Sequence, residues 1–424
     1  MTEAFLHHLW KLKIFNSGKL QTTEGEELEI LKPGLHNNDA GPDFFNAQIK
    51  IGDTHWAGNV EIHLKSSDWK NHFHEKDHAY DNVILHVVYE DDELVRRKDG
   101  SLIPTLELMD KFDQRLWKNY QDLLKSKQWI PCQHRISSVD PFTLDNWLDR
   151  LLTERLESKT DTIFSSLKLN HNNWEETFYQ QLAKNFGFRL NALPFELLAK
   201  SLPMALLAKH RDQVFQLEAM FYGQAGMLDK NFKDDYPNEL KKEYLFLKTK
   251  FVLEPMALHQ WKFLRLRPVN FPTIRIAQFA RLVHRSSHLF SKILECENYN
   301  ELKKYFLLEI TDYWQTHFVF DKPSKPQARH FGEGTIQNIA INTIVPFLFA
   351  YGKGRQSEIH LQRAIRFLEE IPSEPNSILT GWKNMGIESN TAYRSQALLQ
   401  LKNEYCNEKK CLMCSVGNYL LQNI

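Results

Sequence analysis

Apolar and polar residues alternate from Phe44 to Ile51, break at Gly52-Asp53, and alternate again from Val60 to Lys65. Alternation on both sides of a turn dipeptide predicts a β-hairpin with strands over 44–51 and 55–65. Successive strand residues face opposite sides, so Glu61, His63 and Lys65 share one face, while Val60, Ile62 and Leu64 take the other, toward a core. Folding back at the turn sets Asp43 level with Glu61. Ahead of the hairpin, Leu6, Trp10 and Ile14 recur four apart and predict a helix over 3–15. Short runs over 20–23 and 28–31 predict a second hairpin, ended by Pro33-Gly34. The apolar run over 83–89, interrupted by His86, predicts a buried strand, and 102–108 a further one, where Pro104 favours an edge. A helix over 111–127 follows.

From Pro141 onward the period changes to three or four residues, over 144–163, 174–186, 194–202, 204–221 and 240–251, and later over 336–351, 358–370 and 391–405. The fold class expected is therefore α+β: an N-terminal α/β core with a mixed sheet (1–130), then a mostly α-helical domain (131–424). A chain of 424 residues is long enough for two or three such bodies. No run of about 18 apolar residues occurs, and Met1-Thr2-Glu3-Ala4 lacks the basic-then-apolar start of a leader, so a cytoplasmic protein without membrane contact is expected.

Net charge is zero, but the two parts differ. Residues 1–125 hold 15 Lys and Arg against 22 Asp and Glu, leaving 38 against 31 for the remainder. Nine of the eighteen histidines also fall within the first 90 residues. Acid and imidazole concentrated together suit metal ions. Asp43 and Glu61, brought level by the hairpin, form an oxygen pair for Mg or Mn, with His63 or Lys65 orienting water and Gln48 assisting from the opposing strand. A rival site draws on His55, His63, His72, His74 and His86 with Asp43 or Glu61, and would hold zinc or another transition metal; His63 and His74 are the preferred pair.

Pro42-Asp43, seventeen residues, then Glu61-Ile62-His63 resembles the PD-(D/E)xK nuclease motif. His63 departs from it, because lysine is usual there; Lys65 on the same face is a possible substitute. The resemblance implies a nuclease-like core, metal-dependent phosphodiester hydrolysis, and an extra acidic residue on the first helix, for which Glu3 is the candidate. The whole chain, from the first helix to the C-terminal cysteines, also resembles a mostly Bacteroidetes family of proteins, domain of unknown function 2851. That likeness includes Gly41-Pro42-Asp43-Phe44, Gly58-Asn59-Val60-Glu61-Ile62-His63, Leu85-His86-Val87-Val88 and Cys411-Leu412-Met413-Cys414.

Two further features carry chemistry. Residues 255–294 contain Lys262, Arg265, Arg267, Arg275, Arg281, Arg285 and Lys292 with no acid, interleaved with Trp261, Phe263 and Phe271. Such a stretch fits a surface that tracks a phosphate backbone and stacks on bases, so DNA is the expected partner. Near the end, Cys406, Cys411 and Cys414 form C-x4-C-x2-C, a spacing for zinc or an iron–sulfur cluster, with Cys132 the best fourth ligand, ahead of His134 and Cys296. Three functions follow as expectations: a metal-dependent nuclease acting on DNA, a catalytically degenerate nuclease fold that binds nucleic acid or serves as a scaffold, and a zinc-dependent hydrolase of a small molecule.

Overall fold

A computed structural model describes residues 1–16, 20–37, 39–286, 288–327 and 329–423. The chain divides into two compact units: Met1–Trp147 with Lys402–Ile424, and Leu148–Leu401. The division expected at residue 130 differs from this one in two respects. The first unit runs on to Trp147, and it takes back the C-terminal segment with the cysteine motif. Local periodicity carries no information about that return, since the pairing is between segments far apart in sequence.

The first unit is built on one mixed sheet. Helix α1 (Glu3–Leu12) precedes strands β1 (Leu20–Gln21), β2 (Glu27–Lys32), β3 (Leu35–His36), β4 (Phe44–Ile51) and β5 (Thr54–Lys65). Helix α2 (Asp68–Asn71) then leads to β6 (Val83–Glu90), β7 (Thr105–Glu107) and α3 (Gln114–Lys125). The strand order is β1-β2-β4-β5-β6-β7, with β3 also on β4. Pairing is antiparallel up to β5 and parallel from β5 through β7.

Within β4 the strict alternation fails at one place for a reason. Asn46 has φ 56 and the register with β5 shifts between Phe44 and Ala47. This bulge lets Phe44 and Ala47, three residues apart, both enter the core beside Ile49 and Ile51. Val60 and Ile62 of β5 and Leu85 and Val87 of β6 meet them there, and Phe5, Leu6, Leu9 and Trp10 of α1 seal that face. Gly58 is required where β5 passes β6, because a Cβ there would lie 2.5 Å from Ile84 Cγ2 and 2.7 Å from the Asn82 carbonyl. Trp69, Val83, Val95 and Ile103 form a smaller separate cluster.

Among the described residues, the second unit is helical apart from a two-stranded ribbon, His317–Val319 with Lys322–Pro323. The run expected as one helix over 204–221 is two, Met204–Leu207 and Val214–Gln224, separated by a turn around His210. The run expected as one helix over 336–351 changes geometry along its length: Pro346 sits at the start of Val345–Arg355, immediately after a π-helical stretch Ala340–Ile344. Among the described residues, no single helix is long and apolar enough to cross a membrane.

Candidate functional site

The hairpin brings Asp43 and Glu61 together through the backbone. The Asp43 N–H donates to Glu61 Oε2 at 3.1 Å, and the Ile62 N–H donates to Asp43 Oδ2 at 2.9 Å. Each carboxylate thus has one oxygen held by the opposite strand, and Glu61 keeps its other oxygen, Oε1, facing the histidines.

The polar face of β5 is not an open cleft. Glu61 and His63 are 5% and 2% exposed, covered by α2 and the turns after it. His72 ends α2, Phe73 adopts a left-handed φ of 60, and His74 begins the next turn. That reversal at Phe73 aims two imidazoles, only two residues apart, at the same point. Among the described residues, His63, His72 and His74 each place one donor atom within 4.8 Å of the other two. His63 Nε2 lies 3.1 Å from His72 Nδ1 and 3.3 Å from His74 Nε2. Glu61 Oε1 is 3.3 Å from His74 Nε2 and 3.5 Å from His63 Nε2. Ligands about 2.0–2.1 Å from one tetrahedral ion are spaced about 3.3 Å apart, so these separations suit a shared transition metal.

The surroundings hold the imidazoles in place. His63 Nδ1 is 2.8 Å from His86 Nε2, and His86 is wholly buried. With His63 Nε2 turned to an ion, its Nδ1–H donates to His86, which fixes the tautomer. His86 then carries its own proton on Nδ1, a buried nitrogen with no hydrogen-bond partner among the described residues. Trp69 packs edge-on against both His74 and His86, and Tyr80 stacks on His74 with ring centroids 3.8 Å apart. On the other side, His7 Nε2 of α1 lies 3.3 Å from Asp43 Oδ2. Glu3, one turn earlier, is near enough to Asp43 for that charge to raise its pKa, after burial, which is the larger cause. At the rim of the cluster His72 is exposed, and Asp43 and His7 are partly exposed.

Burial sets the protonation. It pushes Glu61 upward and His63 down to about 3, and it holds His86 well below the usual histidine value. His63 and His86 are thus neutral near neutral pH, and His63 is free to ligate. The sign for the metal-depleted protein follows. His63 and His86 bind protons more readily unfolded than folded, so their burial favours unfolding increasingly as pH falls below 6.5 toward 3. Glu61 acts oppositely, above its ordinary 4.5, because unfolding frees its carboxylate to ionise. Thermal melts of chelated protein should therefore show Tm falling from pH 7 to pH 5, with a shallower slope in His86→Phe; a parallel slope in that variant would refute the assignment.

The other residues proposed from sequence lie elsewhere. Lys65 is half exposed and pairs with Glu90 at 3.2 Å and Asp92 at 3.6 Å, outside the histidine cluster. Gln48 pairs with Ala57, four residues along β5 from Glu61, which is about 13 Å at the usual rise per residue. His55 is exposed opposite Lys50. His7 was not anticipated, although Glu3 and His7 four apart on one helix were the available signal.

In the basic stretch only part is surface. Lys262, Arg265 and Arg267 are exposed. Arg275 is 4% exposed, its guanidinium donating to Gln278, Asn270 and Thr335 and lying over the Phe188 ring. It is an interior cross-link and not part of a phosphate-facing surface. Arg281 is half-buried near Glu218, and Arg285 donates to the Leu307 carbonyl at 2.7 Å. Trp261 is buried with its indole N–H on the Ala225 carbonyl, and Phe263 and Phe271 pack on each other, so these rings are taken up internally. Cys132, Cys406, Cys411 and Cys414 do come together, lining one pocket of the first unit.

With the geometry in place, comparison with known proteins adds one finding. The family model described as protein of unknown function (DUF2851) matches residues 3–377. The chain belongs to that family. The match takes in α1, the whole sheet and the histidine cluster, and stops short of Cys406. No curated protein and no solved structure matches the chain.

Proposed function

We propose that this DUF2851 protein is a metal-dependent hydrolase whose ion is held by His63, His72 and His74. The observation that carries the reading is that His63 Nε2 lies 3.1 Å from His72 Nδ1 and 3.3 Å from His74 Nε2, with all three donor atoms within 4.8 Å of one another. A nitrogen-rich set favours zinc or a neighbouring transition metal over Mg, which prefers oxygen. An ion there would supply a more acidic water, and Glu61, with Oε1 turned to the cluster and its basicity raised by burial, would accept the proton. His86 and Trp69 keep the imidazoles from turning away, and Asp43, tied to His7 and to the Ile62 N–H, supports the rim where substrate enters.

Phosphodiester cleavage is a second reading, and one observation favours it. Asp43, Glu61 and Glu3 gather around an antiparallel β2-β4-β5 sheet that continues in parallel to β6, an arrangement similar to a PD-(D/E)xK core with histidine in place of its lysine.

The test is hydrolysis of single- and double-stranded DNA, RNA, and chromogenic phosphate and carboxylate esters, by metal-depleted protein resupplied with Zn, Mn, Co or Mg. Turnover on one substrate class, restored by a transition metal and reduced about 100-fold or more in Glu61→Gln, is expected. Turnover on nucleic acid selects the second reading for the substrate. A Glu61→Gln variant as active as the parent, or full activity without metal, sinks the hydrolase reading. Binding of nucleic acid without cleavage would point instead to a degenerate scaffold.

A further inference from the structure

Four of the five cysteines meet in one place, although one of them precedes the other three by most of the chain. Cys132 lies in the turn after Ile130, and Cys406, Cys411 and Cys414 come from the C-terminal segment; all four line the same pocket. None is in a disulfide. The fifth, Cys296, sits in the second unit.

The local backbone is shaped around the sulfurs. Cys406 ends the π-helical turn Leu401–Cys406, Lys409 takes a left-handed φ of 52, and Cys411 opens the tight turn Cys411–Met413. Cys414 then occupies the N-cap position of the helix Ser415–Gln422, where burial raises its thiol and the Gly417 and Val416 N–H groups act against that rise. Gly417 is obligatory: a Cβ there would lie 2.1 Å from the Cys411 carbonyl oxygen. Backbone donors aimed at a sulfur stabilise thiolate over thiol. Positive charges surround the group as well, with Arg135 acting on Cys132, Lys402 on Cys406 and Lys409 on Cys411. Four reduced thiols lining one pocket are a donor set that a soft metal takes, and a metal bound there would fix the turns that carry them.

We propose that Cys132, Cys406, Cys411 and Cys414 ligate a single thiolate metal centre, zinc or an iron–sulfur cluster, that fastens residues 402–423 to the turn at Pro131–Cys132. The same segment is also tied by Arg135, whose Nη2 donates to the Leu420 carbonyl at 2.6 Å, and by Lys409, which donates to the Leu124 carbonyl. The centre is independent of the histidine site and stands if that site fails.

The experiment uses the full chain carrying His74→Ala, so that the histidine cluster contributes no metal, purified without oxygen. Stoichiometric iron with acid-labile sulfide and a visible band bleached by dithionite identifies a cluster; one zinc per chain identifies a zinc site, and either supports the centre. Loading with Co²⁺ should produce thiolate-to-cobalt charge-transfer absorption. Cys132→Ser and Cys414→Ser should lose the bound metal, with circular dichroism confirming that the chain is folded, and Cys296→Ser should keep it. Chelation should make the 402–423 segment cleavable by added protease. Failure to hold iron or zinc after anaerobic purification and reconstitution, absence of the charge-transfer band, or undiminished metal in Cys414→Ser would overturn the proposal.

Discussion

His74→Ala in the full chain should abolish stoichiometric transition-metal binding at the first-unit site while leaving the protein folded. His74 Nε2 faces both His63 Nε2 and Glu61 Oε1, at 3.3 Å each, so the variant removes one of the three imidazole donors of the set. Its ring is only partly exposed and is stacked by Tyr80, and the alanine leaves a modest space near the surface, not a hole in the main core. Affinity for Zn measured by competition with a chromophoric chelator should drop at least 100-fold. His86→Phe, which keeps a planar aromatic ring but removes the partner of His63 Nδ1, should cost 10- to 100-fold, the usual effect of losing an imidazole's orienting bond. Metal affinity unchanged in both variants would mean that the clustered imidazoles do not form a centre.

Trp69→Ala should give the largest loss of stability of any single change beside the site. Trp69 is 2% exposed, anchors the small cluster with Val83, Val95 and Ile103, and backs His74, His86 and Tyr80. Removing a buried indole costs about 3–5 kcal/mol. The penalty should be smaller in Trp69→Phe, because the indole N–H makes no hydrogen bond among the described residues, so little polar energy is lost with it. Chemical denaturation of the metal-depleted forms measures both. The same alanine variant should weaken metal binding, since the rings it supports lose their backing. A variant with parental stability would show that the small cluster contributes no packing energy.

Much of the first unit was written in local pattern. The alternation of 44–51 and 55–65 gave the β4–β5 hairpin, and counting back from Gly52-Asp53 put Asp43 beside Glu61. Strand β3 escaped notice because it is two residues long and Leu35 is 71% exposed, which leaves no apolar alternation to detect. Gln48 was assigned to the wrong neighbourhood because a hairpin count ignores distance along the strand. The meeting of His72 with His74 depends on the left-handed Phe73, a backbone state that residue type does not announce. In the basic stretch, charge alone could not separate Arg267, which is exposed, from Arg275, whose hydrogen bonds all lie inside the fold. The fourth cysteine was nameable only because so few were available.

Completing the first unit with residues 402–423 has a bearing on biosynthesis. A nascent polypeptide emerging from the ribosome can pair β1 through β7 early, yet the surface around Cys132 and Leu123 must wait for its covering until translation has passed the entire helical unit. During that interval the exposed patch is a natural station for chaperones, and premature stop codons near the end would damage the opening domain first.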